Sequence, residues 1–303
     1  MSERAHLKTA NVPSGKISEP ASCTSKFIEA GNLKLHYLDY GTEGCTPMLC
    51  VHGGAAHAHW FDFVAPGFAS DHHVRALDLR GHGDSAWADP PAYSYSQYAS
   101  ELADLVEKLD LRDFVLVGHS MGGLVSLVYA AEYPGRVSSL VIVDSRMHMS
   151  KESIARLRDM GTRPSRNYAT NEELIARYRL EPAGTMIAAP EVVRHVARYS
   201  GRKFPDGSWR HKFDRSLYAI FERLDAMPCW SDIKIPALLV KGEHSQRIDA
   251  EGLSQIRSRS PQVEWVEVPN SDHHIMLDNP QGFVEAVRAF LKKGAMRANA
   301  VMQ

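Results

Sequence analysis

The chain has 303 residues, 44% hydrophobic and 23% charged, the balance of an ordinary soluble globular protein with a large buried core. Lys and Arg number 35 against 36 Asp and Glu, a net charge of -1, so no overall field draws the protein toward nucleic acid or an anionic membrane. Cys23, Cys45, Cys50 and Cys229 have neither the density of a disulfide framework nor the paired spacing of a zinc site. They read as reduced thiols of a cytoplasmic protein.

The first residues, MSERAHLKTANVPSGK, are polar and lack the apolar segment of a signal peptide, and no later run approaches the roughly 20 apolar residues of a membrane span. Residues 1–25 are expected to be a flexible N-terminal arm. Short apolar runs then alternate with longer helical patterns, the signature of a mostly parallel sheet covered by helices on both faces. LKLHYLDYG at 33–41 alternates like an antiparallel edge strand. MLCVHGG, VRALDLRG, FVLVGHS and SLVIVDS are nearly continuous β-branched or leucine runs, as in strands buried on both sides. Helices are expected at 95–109 and at 122–133, the second stopped by Pro134-Gly135.

After Asp144 the texture changes. Residues 146–229 are rich in arginine, with helical patches in ELIARYRL, EVVRHVARY and KFDRSLYAIFERL and no good strand. Strand texture returns in PALLVKG and VEWVEVP, followed by an amphipathic helix at 283–291. One α/β core, 26–145 and 230–295, is therefore expected to be interrupted by an inserted helical domain at 146–229.

Gly118-His119-Ser120-Met121-Gly122 places a serine between a strand and a helix. Such a turn strains the serine backbone, and the glycines let strand and helix approach closely. It projects the hydroxyl at the N-terminus of the next helix, whose dipole favours developing negative charge. His52-Gly53-Gly54 follows an earlier buried strand, and the backbone N–H groups of Gly54 and Met121 are the expected oxyanion donors.

VHGG, the DLRGHGDS stretch at 78–85 and VLVGHSMGG, in this order and spacing, resemble the α/β-hydrolase superfamily over about residues 27–145 and 230–293. The resemblance implies an eight-stranded, mostly parallel sheet flanked by helices, with a helical cap inserted after the sixth strand. It also implies a histidine in the loop after the last strand, seven positions before a proline. In VPNSDHHIMLDNP that selects His273 ahead of Pro280, with His274 as the fallback. A base is needed there because a serine hydroxyl is a poor nucleophile until its proton is removed.

The acid departs from the family pattern. It usually stands just beyond the seventh strand, where this chain has Ser245 and Gln246. Asp144, at the end of SLVIVD, occupies the place used by haloalkane dehalogenases and some lipases and is preferred, with Glu243 as the alternative. Asp249 lies further along the loop. Asp78, Arg80, His82, Asp84 and Ser85 recur in the superfamily whatever the reaction and read as ordering their loop.

Serine at the elbow argues against dehalogenase and epoxide hydrolase chemistry, which form an alkyl ester on aspartate. The expected activity is hydrolysis of a small-molecule carboxylic ester or lactone through an acyl-enzyme, with no cofactor or metal, by a monomer or homodimer. Arg146 is a candidate for binding a substrate carboxylate. Hydrolysis of a C–C bond or an amide is the alternative chemistry, and a ligand receptor with vestigial turnover the alternative class.

Overall fold

A computed structural model describes residues 6–8, 19–182, 187–222 and 224–301. Its main sheet runs in the order β1-β11-β10-β7-β6-β4-β5-β3-β2. In chain order these are β1 (His6–Lys8), β2 (Thr24–Ala30), β3 (Leu33–Asp39), β4 (Thr46–Val51), β5 (His72–Leu77), β6 (Phe114–His119), β7 (Val137–Val143), β10 (Ala237–Gly242) and β11 (Glu264–Val268). β2 and β3 are antiparallel and β3 meets β5 antiparallel; every other pairing is parallel. Eight strands thus match the expected sheet, and His6–Lys8, within the stretch read as a flexible arm, adds a ninth at one edge.

The continuous apolar runs follow from two-sided burial. Alternate side chains of each central strand enter different cores: Leu49, Leu116, Ile142 and Leu239 point into one, and Cys50, Val117, Val141 and Val240 into the other. Helices α1 (Tyr95–Lys108) and α2 (Met121–Glu132) cover the first face. Phe283, Val287 and Phe290 of α9 (Pro280–Val301) cover the second. α1 starts at a capping box in which Ser94 and Gln97 satisfy each other's backbone N–H groups. Truncating a wholly buried side chain such as Phe114 to alanine would cost about 3–5 kcal/mol.

β3 is antiparallel as expected but does not form the edge. β2, mostly exposed, pairs along its whole length and takes that position, leaving five successive residues of β3 buried. The stretch 146–229 contains α3 (Lys151–Thr162), α4 (Asn171–Arg177), α5 (Pro190–Arg198) and the one-turn α6 (Ser216–Ala219). Contrary to the sequence reading it also contains strands, β8 (Gly201–Lys203) and β9 (Trp209–His211), paired antiparallel. Three-residue strands with charged side chains carry no apolar alternation. Their signal lies in the turn instead, where Gly207 takes φ 84 between Phe204 and Ser208.

β4 pairs with β5 on one side and β6 on the other. The loops leaving β4 and β6 therefore diverge, and a crevice opens at the carboxyl ends of the strands. No helix among the described residues is long and apolar enough to cross a membrane.

Candidate active site

Ser120 directly follows β6 with φ 53 and ψ -116, a backbone that residues with a Cβ rarely adopt. Ser120 N–H donates to Val143 O at 2.9 Å, and Gly123 N–H donates to Ser120 O at 3.1 Å. A Cβ on Gly122 would strike the carbonyl oxygens of Val51 and His52, and one on Gly118 would strike Ser126 Oγ and Gly122 O. The glycines around the serine are thus demanded by backbone packed on backbone. Ser120 stands at the N-cap of α2 without spending its hydroxyl on a capping bond.

Ser120 and His273 line one cavity of about 340 Å³, together with Gly54, Met121, Arg146 and Arg247. Met121 is the first residue of α2, where helix N–H groups have no partner within the helix. The loop bearing Gly54 is pinned by His52, whose Nδ1–H donates to Gly53 O at 2.7 Å while Nε2 accepts from Leu79 N–H at 3.1 Å. Burial holds the His52 pKa below its ordinary value, so this arrangement is that of a neutral ring.

His273 Nδ1 lies 2.7 Å from Asp144 Oδ2. Asp144 is wholly buried at the end of β7, with φ 47. The same oxygen accepts from Ser245 Oγ at 2.8 Å and lies 3.7 Å from Arg247 Nε. Burial pushes the Asp144 carboxyl up to about 7, against the opposing effects of Ser245 and Arg247. Burial also drives the His273 imidazole well below its usual value, reinforced by the neighbouring His119 and Arg247. Above about pH 7 the pair is therefore an ionised carboxylate beside a neutral imidazole, the form that can take a proton. His119 supports this from behind, donating from Nε2 to His273 O at 2.9 Å.

The other carboxylates of the loop face elsewhere. Glu243 is half-exposed and accepts from Asn270 N–H at 2.8 Å. Asp249 accepts from Gly252 N–H at 2.7 Å as the N-cap of α7 (Ala250–Arg259). His274 is buried, edge-on to Trp60 at 5.1 Å, and does not line the cavity. The DLRGHGDS loop is ordered by Asp78, which accepts from His36 Nδ1 and from the N–H groups of Ala58 and Asp84. Arg80 pairs with Glu101.

Several wall residues were not singled out from sequence. Trp60, and Met149, Leu157 and Met160 from in and beside α3, line the cavity. Ile154 and Leu157 give α3 helical spacing, but its apolar residues are too sparse for a strong signal. Ser245 was read only as a vacated acid position, although a hydroxyl there is a donor suited to a carboxylate supplied from elsewhere.

Three groups of described residues bring possible metal ligands within 4.8 Å: His119, His273 and His274; Cys23, His59 and Asp62; and His36, Asp78 and Asp84. In the second, Asp62 already accepts from His59 and His195, and in the third Asp78 accepts from His36. The first contains the partner of Asp144.

Comparisons with known proteins agree with the fold. A 2-(acetamidomethylene)succinate hydrolase of Mesorhizobium japonicum is 28% identical over 276 residues, covering 88% of this chain and 95% of that protein. An esterase of Mycobacterium tuberculosis is 27% identical over 254 residues, covering 80% and 82%. The crystal structure of an E-2-(acetamidomethylene)succinate hydrolase superposes with TM-score 0.77 at 24% identity, covering 89% of this chain and all of that one. With the family model for the α/β hydrolase fold matching residues 46–280, this chain belongs to the α/β-hydrolase fold family.

Proposed function

We propose that the protein is a serine hydrolase that cleaves a carboxylic ester or lactone through an acyl-enzyme. The observation that carries this reading is the 2.7 Å contact of His273 Nδ1 with buried Asp144, with His273 and Ser120 on one cavity. Ser120 Oγ attacks the substrate carbonyl as His273 Nε2 takes its proton, and Asp144 stabilises the imidazolium that forms. The oxyanion is held by the N–H groups of Gly54 and Met121. The C–O bond then breaks, His273 returns the proton to the departing alcohol, and water repeats the sequence on the acyl-enzyme. Segment 146–229 acts as a cap, since residues from Arg146 to Phe221 wall the cavity. Arg146 is the residue there to hold a carboxylate near the reacting carbonyl.

A second reading, hydrolysis of an amide, is favoured by the similarity to a protein named for an acetamidomethylene succinate. Both use the same residues and differ in the atom that must be protonated on leaving. The test is a turnover screen over nitrophenyl esters, lactones and N-acyl compounds, with Ser120→Ala as control. Hydrolysis lost in Ser120→Ala supports the reading. No turnover of any class, together with no labelling by a fluorophosphonate, overturns it.

A further inference from the structure

Beside the cavity at Ser120 lies a second, of about 350 Å³. Trp60, Met160, Glu181 and Tyr218 line both, so the two adjoin. Apart from Ala55 and Trp60, the walls of the second come from residues 160–218, the inserted segment.

These walls carry Arg166, Arg177, Arg179 and Arg215 against one carboxylate, Glu181. Arg177 lies 3.3 Å from Glu173. Two others are fixed by neutral groups: Arg179 donates to Tyr178 O at 2.6 Å, and Arg215 donates to the carbonyls of Arg163 and Met160. Bonds to carbonyls position a guanidinium without neutralising it. Among the described residues, Arg166, Arg179 and Arg215 form no ion pair with a carboxylate. In a chain whose net charge is -1, this is a local excess of cations around a cleft that opens to solvent, with Arg166, Arg177 and Arg179 exposed and Arg215 half-buried, and such a concentration of one sign of charge attracts an anion.

The wall also supplies neutral polar groups. His211 is kept neutral by burial, with Arg215 and Arg166 nearby acting in the same direction, and lies 3.4 Å from Tyr168 OH. By contrast, two other arginines of the inserted segment stack on aromatic rings, and Arg210 also pairs with Asp206. Arg202 lies over Trp87 at 4.2 Å, Arg210 lies over Phe204 at 4.5 Å, and neither lines a cavity of the site.

We propose that the second cavity binds an anionic group, a carboxylate or a phosphate, at the end of the substrate remote from the carbonyl attacked by Ser120. The proposal rests on the serine hydrolase reading. Guanidinium forks match either oxyanion in bidentate fashion. Met160 and Tyr218, shared by both cavities, flank the spacer between the anion and the ester.

The test uses three nitrophenyl esters of equal length whose acyl chains end in methyl, carboxylate or phosphate. Wild type should prefer at least one charged ester over the methyl ester by about tenfold or more in kcat/KM, as expected for charge-assisted bonds. The preference should appear mainly in KM, weaken in high salt, and identify the anion by which charged ester gains more. In the double variant Arg166→Gln/Arg179→Gln the preference should fall to about twofold or less by loss of the same bonds. Its rate on the methyl ester, which carries no anion, is the reference against which that preference is measured. Equal use of all three esters by wild type, or a preference unchanged in the variant, overturns the proposal. If no ester is turned over, the hydrolase reading is decided by the wider screen and the fluorophosphonate labelling described above. The cavity is then tested in Ser120→Ala by calorimetric titration with inorganic phosphate and with glutarate: binding that the arginine substitutions abolish supports it, and no binding of either overturns it.

Discussion

Ser245 and His273 meet on a single oxygen: Asp144 Oδ2 accepts from Ser245 Oγ at 2.8 Å and from His273 Nδ1 at 2.7 Å. The loop after β10 thus supplies a hydroxyl that bonds the buried carboxylate at the end of β7. Ser245 lowers the Asp144 pKa against the effect of burial, so Ser245→Ala should raise it further. The ascending limb of kcat/KM should move to higher pH by roughly half a unit to one unit, equivalent to a net hydrogen bond. Ser245→Thr, which keeps the hydroxyl, should restore the profile. An unmoved limb in Ser245→Ala would count against this role.

Asp144→Asn and Glu243→Gln separate the two candidate acids. The first removes the charge that faces the imidazolium and should lower kcat by about 10⁴-fold, the scale seen when a triad aspartate is neutralised. Glu243 bonds Asn270 N–H on a half-exposed surface, so Glu243→Gln should leave kcat nearly unchanged. Steady-state kinetics with thermal unfolding as a control decides the matter.

Gly122→Ala should damage the fold as well as the site. The added Cβ meets the carbonyls of Val51 and His52, and backbone at a sheet end cannot swing aside as a flexible side chain does. A loss of about 1–3 kcal/mol or more is expected from such overpacking. Thermal denaturation should show it directly, and a wild-type melting temperature would refute the close approach.

Stability should fall as pH drops below neutrality, before carboxylates of ordinary pKa titrate. Burial lowers His57, His82 and His119 to about 3 and His274 to about 4, below the roughly 6.5 of an unfolded histidine. Between these values the unfolded chain takes up protons that the fold excludes. Their contribution is therefore complete above about pH 6.5 and is lost as pH falls, at up to roughly 1 kcal/mol per pH unit for each histidine. Asp144, raised to about 7, and Asp278, raised to about 6, act in the opposite direction. They are outnumbered, so the melting temperature should drop between pH 7.5 and 5. Calorimetry across that range measures it, and a flat or rising trend would contradict the balance.

Much of the core was legible because its signals are local. Both-side burial writes itself as VLVG and LVIV. Less was legible where short elements carry charged side chains. β8 and β9 have no apolar alternation, α3 has few apolar residues, and among the described residues of KFDRSLYAIFERL the helix is the single turn Ser216–Ala219, although the pattern reads as a longer one.

The linear chain already locates the strained, glycine-framed Ser120, because a turn is decided by residues within a few positions of one another. It also narrowed the acid to a few carboxylates without joining one to the histidine. It takes the folded chain to bring Asp144, 129 positions before His273 and 101 before Ser245, against both. The same holds for the arginines: Arg166 follows α3, Arg177 and Arg179 lie at and just past the end of α4, and Arg215 precedes α6, so they line one space only after these segments have packed. Proximity of this kind follows from how helices and strands close on a shared core, and no local pattern in the chain encodes it.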